Sequence, residues 1–128
     1  MTARYFDVNV LVYYLTGDKT YGPIAKQWLR ETDEKYTSCI TPFLIAVILG
    51  RLNNKHLRDY NFVKDILNVL EYIGIEYLNL PPWDRIIEVM NKYKIDLEDA
   101  IHVAIATENK LEIVSNDEEL KKKVNAIF

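Results

Sequence analysis

Along this chain, short apolar runs bounded by turn residues alternate with longer segments in which apolar residues recur every three to four positions. The second pattern marks the buried face of a helix and the first a buried strand. Arg4–Val8 (RYFDV) predicts a first strand, followed at once by an apolar helix over Asn9–Thr16 that breaks at Gly17-Asp18. Tyr21–Glu31 places Ile24 and Trp28 on one face, with Pro23 in its first turn, and predicts a second helix. Lys35–Ile40 predicts the next strand. Thr41-Pro42 then supplies an N-cap and a first-turn proline for a mostly buried helix reaching Asn53. A polar, basic loop covers Asn53–Arg58. Asn61–Ile73 carries a stripe of Phe62, Ile66, Leu67, Val69, Leu70 and Ile73, stopped by Gly74. A strand over Ile75–Leu80 meets Pro81-Pro82, and an amphipathic helix follows over Trp83–Tyr93. The nearly all-apolar helix Leu97–Glu108 leads through Asn109-Lys110 to a strand at Leu111–Ser115. A short helix over Asp117–Lys123 and a marginal fifth strand over Val124–Phe128 complete the pattern.

Strands separated by helices, with no hairpin turn between them, predict an α/β fold: a single parallel β-sheet of about 4–5 strands flanked by helices. Residues 1–128 form one domain in this reading, without a linker, an internal repeat or a low-complexity tract. Parallel sheets place their sites beyond the carboxyl ends of the strands, where the strand order reverses. Asp7 falls at the end of the first strand and Asp117 just past the fourth. Asp99 lies in the first turn of the helix leading into that fourth strand. Three acids far apart in sequence are thereby expected to meet at one edge.

Composition narrows the function. Net charge is −3, which argues against a non-catalytic DNA-binding module held by a basic field. No apolar run approaches the roughly 20 residues of a membrane span. The start, MTARYFDVNV, enters a strand directly and is not read as a signal peptide, so a cytoplasmic location is expected. The single cysteine, Cys39, lies in the apolar run TSCITPFLIAVIL and is expected to be buried. There is no Gly-rich phosphate loop, serine-nucleophile motif or Cys/His zinc spacing.

Clustered carboxylates suit Mg²⁺ or Mn²⁺, hard ions that keep several waters and activate water at a phosphodiester. Each acid also has a structural role open to it. Asp96 with Asp99 resembles a capping arrangement, Ser115 with Glu118 fits a capping box, and Asp7 could cap the helix that begins near Asn9. His102 follows Asp99 by three residues and Glu98 by four, so it shares their helix face. Packing is the plainer reading for a lone histidine on an apolar helix. Tyr13, Tyr14 and Tyr21 could stack on bases or simply pack.

The segments FDVNVLVYYL, LEDAIHVAIA and IVSNDEEL, in this order and spacing, resemble the signature segments of the PIN domain, in particular the VapC-type toxins. The likeness extends along essentially the whole chain. It implies a flavodoxin-like sheet, Mg²⁺- or Mn²⁺-dependent RNA cleavage, homodimers and an antitoxin partner. By position, Asp7, Asp99 and Asp117 would be catalytic, metal-holding acids. Asn9, Ser115 and Asn116 would line the same edge, with Glu98 or Asp96 contributing. The family's second acid, a glutamate in the helix after strand two, is absent. Val47 stands in its place, and no Asp or Glu occurs from Lys35 through Arg58. Two readings remain: a ribonuclease with a reduced site, or a catalytically decayed module that binds RNA or a protein partner. For the first, Arg51, Lys55, His56 and Arg58 are candidates for guiding the RNA backbone, against the alternative of an ordinary solvated loop.

Overall fold

The computed structural model describes residues 1–128. Its strands are β1 (Ala3–Phe6), β2 (Glu34–Ser38), β3 (Ile75–Leu78) and β4 (Glu112–Val114). Between and around them run α1 (Val8–Thr16), α2 (Gly22–Glu31), α3 (Thr41–Leu52), α4 (Tyr60–Tyr72), α5 (Trp83–Tyr93), α6 (Leu97–Glu108) and α7 (Glu118–Val124). All strand pairs are parallel, in the order β3-β2-β1-β4. Tyr5 pairs with Tyr36 on one side and with Ile113 on the other. No helix is long and apolar enough to cross a membrane.

Alternation along the strands splits the core into two layers. Tyr5 and Ile113 face α5, α6 and α7, packing with Ile86, Ala100, Val103, Ala104 and Leu120. Their neighbours Phe6 and Val114 face the other way, against Leu11, Ala25, Leu29, Ile45 and Leu70 of α1 to α4. Strands buried on both faces explain why these segments read as continuous apolar runs. Gly17, in the left-handed region at φ 64°, ends α1, and Gly74 at φ 85° turns the chain from α4 into β3.

Several details depart from the pattern-based expectation. The Val124–Phe128 strand shrinks to one bridge between Ile127 and Val114, because Asn125 in the left-handed region leaves only the last few residues to pair. β2 ends at Ser38, whose hydroxyl accepts the Ile40 N–H and starts the turn into α3. Ile40 therefore holds the N-cap position with no side-chain cap. Thr41, expected as the cap, is buried inside the first turn, sharing a hydrogen bond with Thr37. Cys39 lands in that turn and is exposed rather than buried.

Candidate active site

The sheet reverses its order between β1 and β4, and the chain leaves both strands there at their carboxyl ends. The Asp7 N–H donates to the Val114 carbonyl at 3.0 Å, which ties the two ends together. Asp7 is 5% exposed. Its Oδ1 accepts the Val8 N–H at 2.8 Å, capping α1, and its Oδ2 accepts the Ser115 hydroxyl at 2.6 Å. A buried carboxylate with two such donors is held in one orientation. Ser115 also accepts the Asp117 N–H at 3.1 Å, so one hydroxyl links the ends of both strands. Beside it, the Asn116 N–H reaches Asn9 Oδ1 at 3.5 Å, and Asn116 Nδ2 donates to the Tyr13 hydroxyl at 3.1 Å. Lys121 donates to Asn116 Oδ1 at 2.9 Å and closes the network.

The helix entrances bring the remaining acids. Asp96 caps α6 by accepting the Asp99 N–H at 2.9 Å, and Asp117 caps α7 by accepting the Leu120 N–H at 3.0 Å. Ser115 and Glu118 do not form a capping box; Asp117 takes the cap position and frees Ser115 for Asp7. Burial, then the charges of Asp96, Asp7, Asp117 and Glu98, push the Asp99 carboxyl up to about 7. Glu98 is also raised, first by burial and then by Asp7 and Asp96, while His102 pulls it back. Asp99 and Glu98 thus carry the effect of the acids around them.

Beneath them lies His102, fully buried. Its Nδ1 meets the Tyr5 hydroxyl at 2.5 Å. Burial, with the nearby Asp7 charge, pushes the Tyr5 phenol far above its usual range, so it keeps its proton. The polar groups of Thr37 and Ser38 nearby act oppositely and more weakly. The Tyr5 proton is then directed to Nδ1, and a neutral imidazole so bonded carries its own proton on Nε2. That Nε2 is the one buried side-chain polar atom without a hydrogen-bond partner. It points at Asp7 Oδ1, 3.7 Å away, and Glu98 Oε2, 3.9 Å away. An unpaired buried donor of this kind costs about 1–3 kcal/mol.

The PIN domain model matches residues 4–125, nearly the whole chain, and with them every element of this site. The chain belongs to the PIN domain family. Solved structures with the same fold include a toxin–antitoxin complex from Klebsiella pneumoniae, 20% identical with a TM-score of 0.75, covering 98% of this chain and 97% of that one. A crystallised protein of Pyrobaculum aerophilum is 17% identical at a TM-score of 0.69, covering 99% of this chain and 88% of its own. VapBC2 from Rickettsia felis, crystallised with a DNA fragment from its promoter, is 13% identical at a TM-score of 0.68, covering 98% and 96%. No curated protein matches the chain.

In this PIN domain, Asp7, Asn9, Ser115 and Asn116 are joined at the ends of β1 and β4. Asp99 sits within electrostatic reach of Asp7, Asp96, Glu98 and Asp117. No three His, Cys, Asp or Glu side chains are placed to touch one ion together. The donor set still fits a hydrated Mg²⁺ or Mn²⁺, which takes one or two carboxylates and keeps its waters. A cation also answers the four neighbouring charges that add to burial in holding the Asp99 carboxyl near 7. Val47 is half-buried on α3 and contributes no donor. Arg51, Lys55, His56 and Arg58 are exposed, with no hydrogen bond or ion pair to the acids. Sequence reasoning missed the Tyr5–His102 pair and the part played by Tyr13 and Lys121. The first has a faint signal, a histidine on the Glu98 face of an otherwise apolar helix; the second has none.

Proposed function

We propose that this PIN domain is a metal-dependent endoribonuclease, the toxin of a toxin–antitoxin pair, with its second acid replaced by Val47. The observation that carries the proposal is the meeting of Asp99 with Asp7, Asp96, Glu98 and Asp117, where burial first and then those four charges push its carboxyl up to about 7. Such crowding opposes ionisation unless a cation is present. Structural likeness to chains from toxin–antitoxin complexes supports the partner class. When bound, Mg²⁺ or Mn²⁺ would activate water and stabilise the leaving oxygen of a phosphodiester.

Asp7, Asp99 and Asp117 hold the ion in this reading, one or two of them directly and the rest through its waters. Asp7 is oriented by Ser115 and the Val8 N–H, and Asp117 keeps one oxygen free while the other caps α7. Asn9 and Asn116 hold the strand ends in register beside it. Arg51, Lys55, His56 and Arg58 guide the RNA backbone toward the site. The setting is the cytoplasm, with an antitoxin protein and a second copy of the chain as protein partners.

The test is cleavage of single-stranded and structured RNA with Mn²⁺, wild type against Asp99→Asn. Mn²⁺-dependent cleavage that drops at least about a hundredfold in the variant is expected, in line with loss of a group that positions the reacting atoms. Equal rates in both proteins sink the catalytic assignment. The absence of any acid on α3 favours a second reading, a PIN-type module that binds RNA or a protein without cutting. RNA binding in Mn²⁺ with no cleavage at any enzyme concentration decides for that reading.

A further inference from the structure

Asp7, Asp99 and Asp117 leave the site one acid short, since α3 offers only Val47. Two acids at the entrance of α6 are available, and the structure separates them. Asp96 is exposed and its Oδ1 is committed to the Asp99 N–H at 2.9 Å. Glu98 has no such commitment. Its Oε2 lies 3.9 Å from His102 Nε2, which is 3.7 Å from Asp7 Oδ1. The two carboxylates thus flank one buried nitrogen, the atom left without a hydrogen-bond partner. Tyr5 fixes the ring from the opposite side through Nδ1, so the imidazole cannot turn away from the acids. His102 and Glu98 are one helical turn apart on α6, which keeps them on the same face.

We propose that Glu98 is the fourth acid of the site, taking the part of the glutamate missing from α3, and that His102 is the positioning residue that aims it. The inference rests on the metal-holding reading given above. His102 donates from Nε2 to the Glu98 carboxylate, which is half-exposed and free to rotate toward it. This leaves the second Glu98 oxygen free, on a carboxylate that shares the His102 nitrogen with Asp7. Hydrogen bonds to ligating carboxylates orient them and tune a metal site. The Tyr5–His102–Glu98 series is such a support, built from β1 and one face of α6.

Calorimetric titration of Mn²⁺ into the full chain tests the proposal. Glu98→Gln is expected to weaken Mn²⁺ binding about tenfold or more. Glu118→Gln removes an equal charge one residue from Asp117 and is expected to stay within about twofold, which separates a ligand from a general field. His102 is buried and its replacement risks misfolding, so its part is read by ¹⁵N NMR of the imidazole. Mg²⁺ is expected to shift the His102 Nε2 signal in the wild type and to leave it still in Glu98→Gln. Tight binding by the wild type with unchanged affinity in Glu98→Gln overturns this inference alone. An Nε2 signal that Mg²⁺ moves equally in both proteins overturns the positioning role. No Mn²⁺ binding by the wild type overturns it together with the metal-holding reading.

Discussion

Asp99 ionises with difficulty, and its environment fixes the sign of a pH effect. The ordinary carboxyl value is 3.8 and the folded one about 7. Between them the folded chain binds more protons than the unfolded chain, so this group's contribution to stability falls as pH rises through that window. Without divalent metal, Asp99→Asn is therefore expected to melt at the same temperature as wild type, or lower, near pH 4. Near pH 8 it should melt higher by roughly 2–4 °C, allowing for the partial solvent screening of the site. Mn²⁺ should close that gap by stabilising wild type more. Melting curves in chelator across the range check this, and parallel curves for the two proteins would remove the case for crowding. The same residue shows how far a sequence carries the argument. Its place in the first turn of an apolar helix was legible, with Asp96 and Glu98 beside it, but the charges of Asp7 and Asp117 reach it from the ends of two other segments.

At the scale of the element, Asp7, Asp96 and Asp117 are each the N-cap of a helix, and the proposed metal-holding role of Asp7 and Asp117 would be superposed on capping. The two roles separate by substitution. Asparagine caps about as well as aspartate but carries no charge. Asp117→Asn should therefore change stability by less than about 0.5 kcal/mol while weakening Mn²⁺ binding at least tenfold. A denaturant titration paired with calorimetry measures both; a large stability loss with unchanged Mn²⁺ affinity would make Asp117 a cap and nothing more. The elements themselves were well marked. The helix over Leu97–Glu108 has the limits that its pattern predicts, because Asp96 and Asn109 bound it on both sides. The turn after β2 was not, because the Ser38 hydroxyl ends the strand before the apolar run does. Cys39 is exposed for that reason.

For the whole molecule, the question is whether the scaffold still presents a complete edge without an acid on α3. Val47→Glu tests it. A glutamate there should raise Mn²⁺ affinity about tenfold and increase Mn²⁺-dependent RNA cleavage. In chelator it should lower stability by about 1 kcal/mol, because another carboxylate joins an already crowded group. Loss of stability with no gain in affinity would mean that α3 does not face the acids. The parallel order β3-β2-β1-β4 makes the expected gain reasonable, since it gathers the carboxyl ends of all four strands on one side.

Sequence alone determined the alternation of strands and helices, the two-sided burial of the sheet and the set of acids at its carboxyl edge. Those follow from local periodicity, caps and turn residues, which act over a few positions. Only the tertiary structure decided which acid pairs with which donor. Ser115 turns to Asp7 instead of to Glu118, and His102 is pinned by Tyr5 across 97 positions of chain. Side chains that meet through packing of distant segments leave no periodic trace. The terminal segment failed as a strand for a related reason: its pairing depends on the room left beside β4 rather than on its own apolar content.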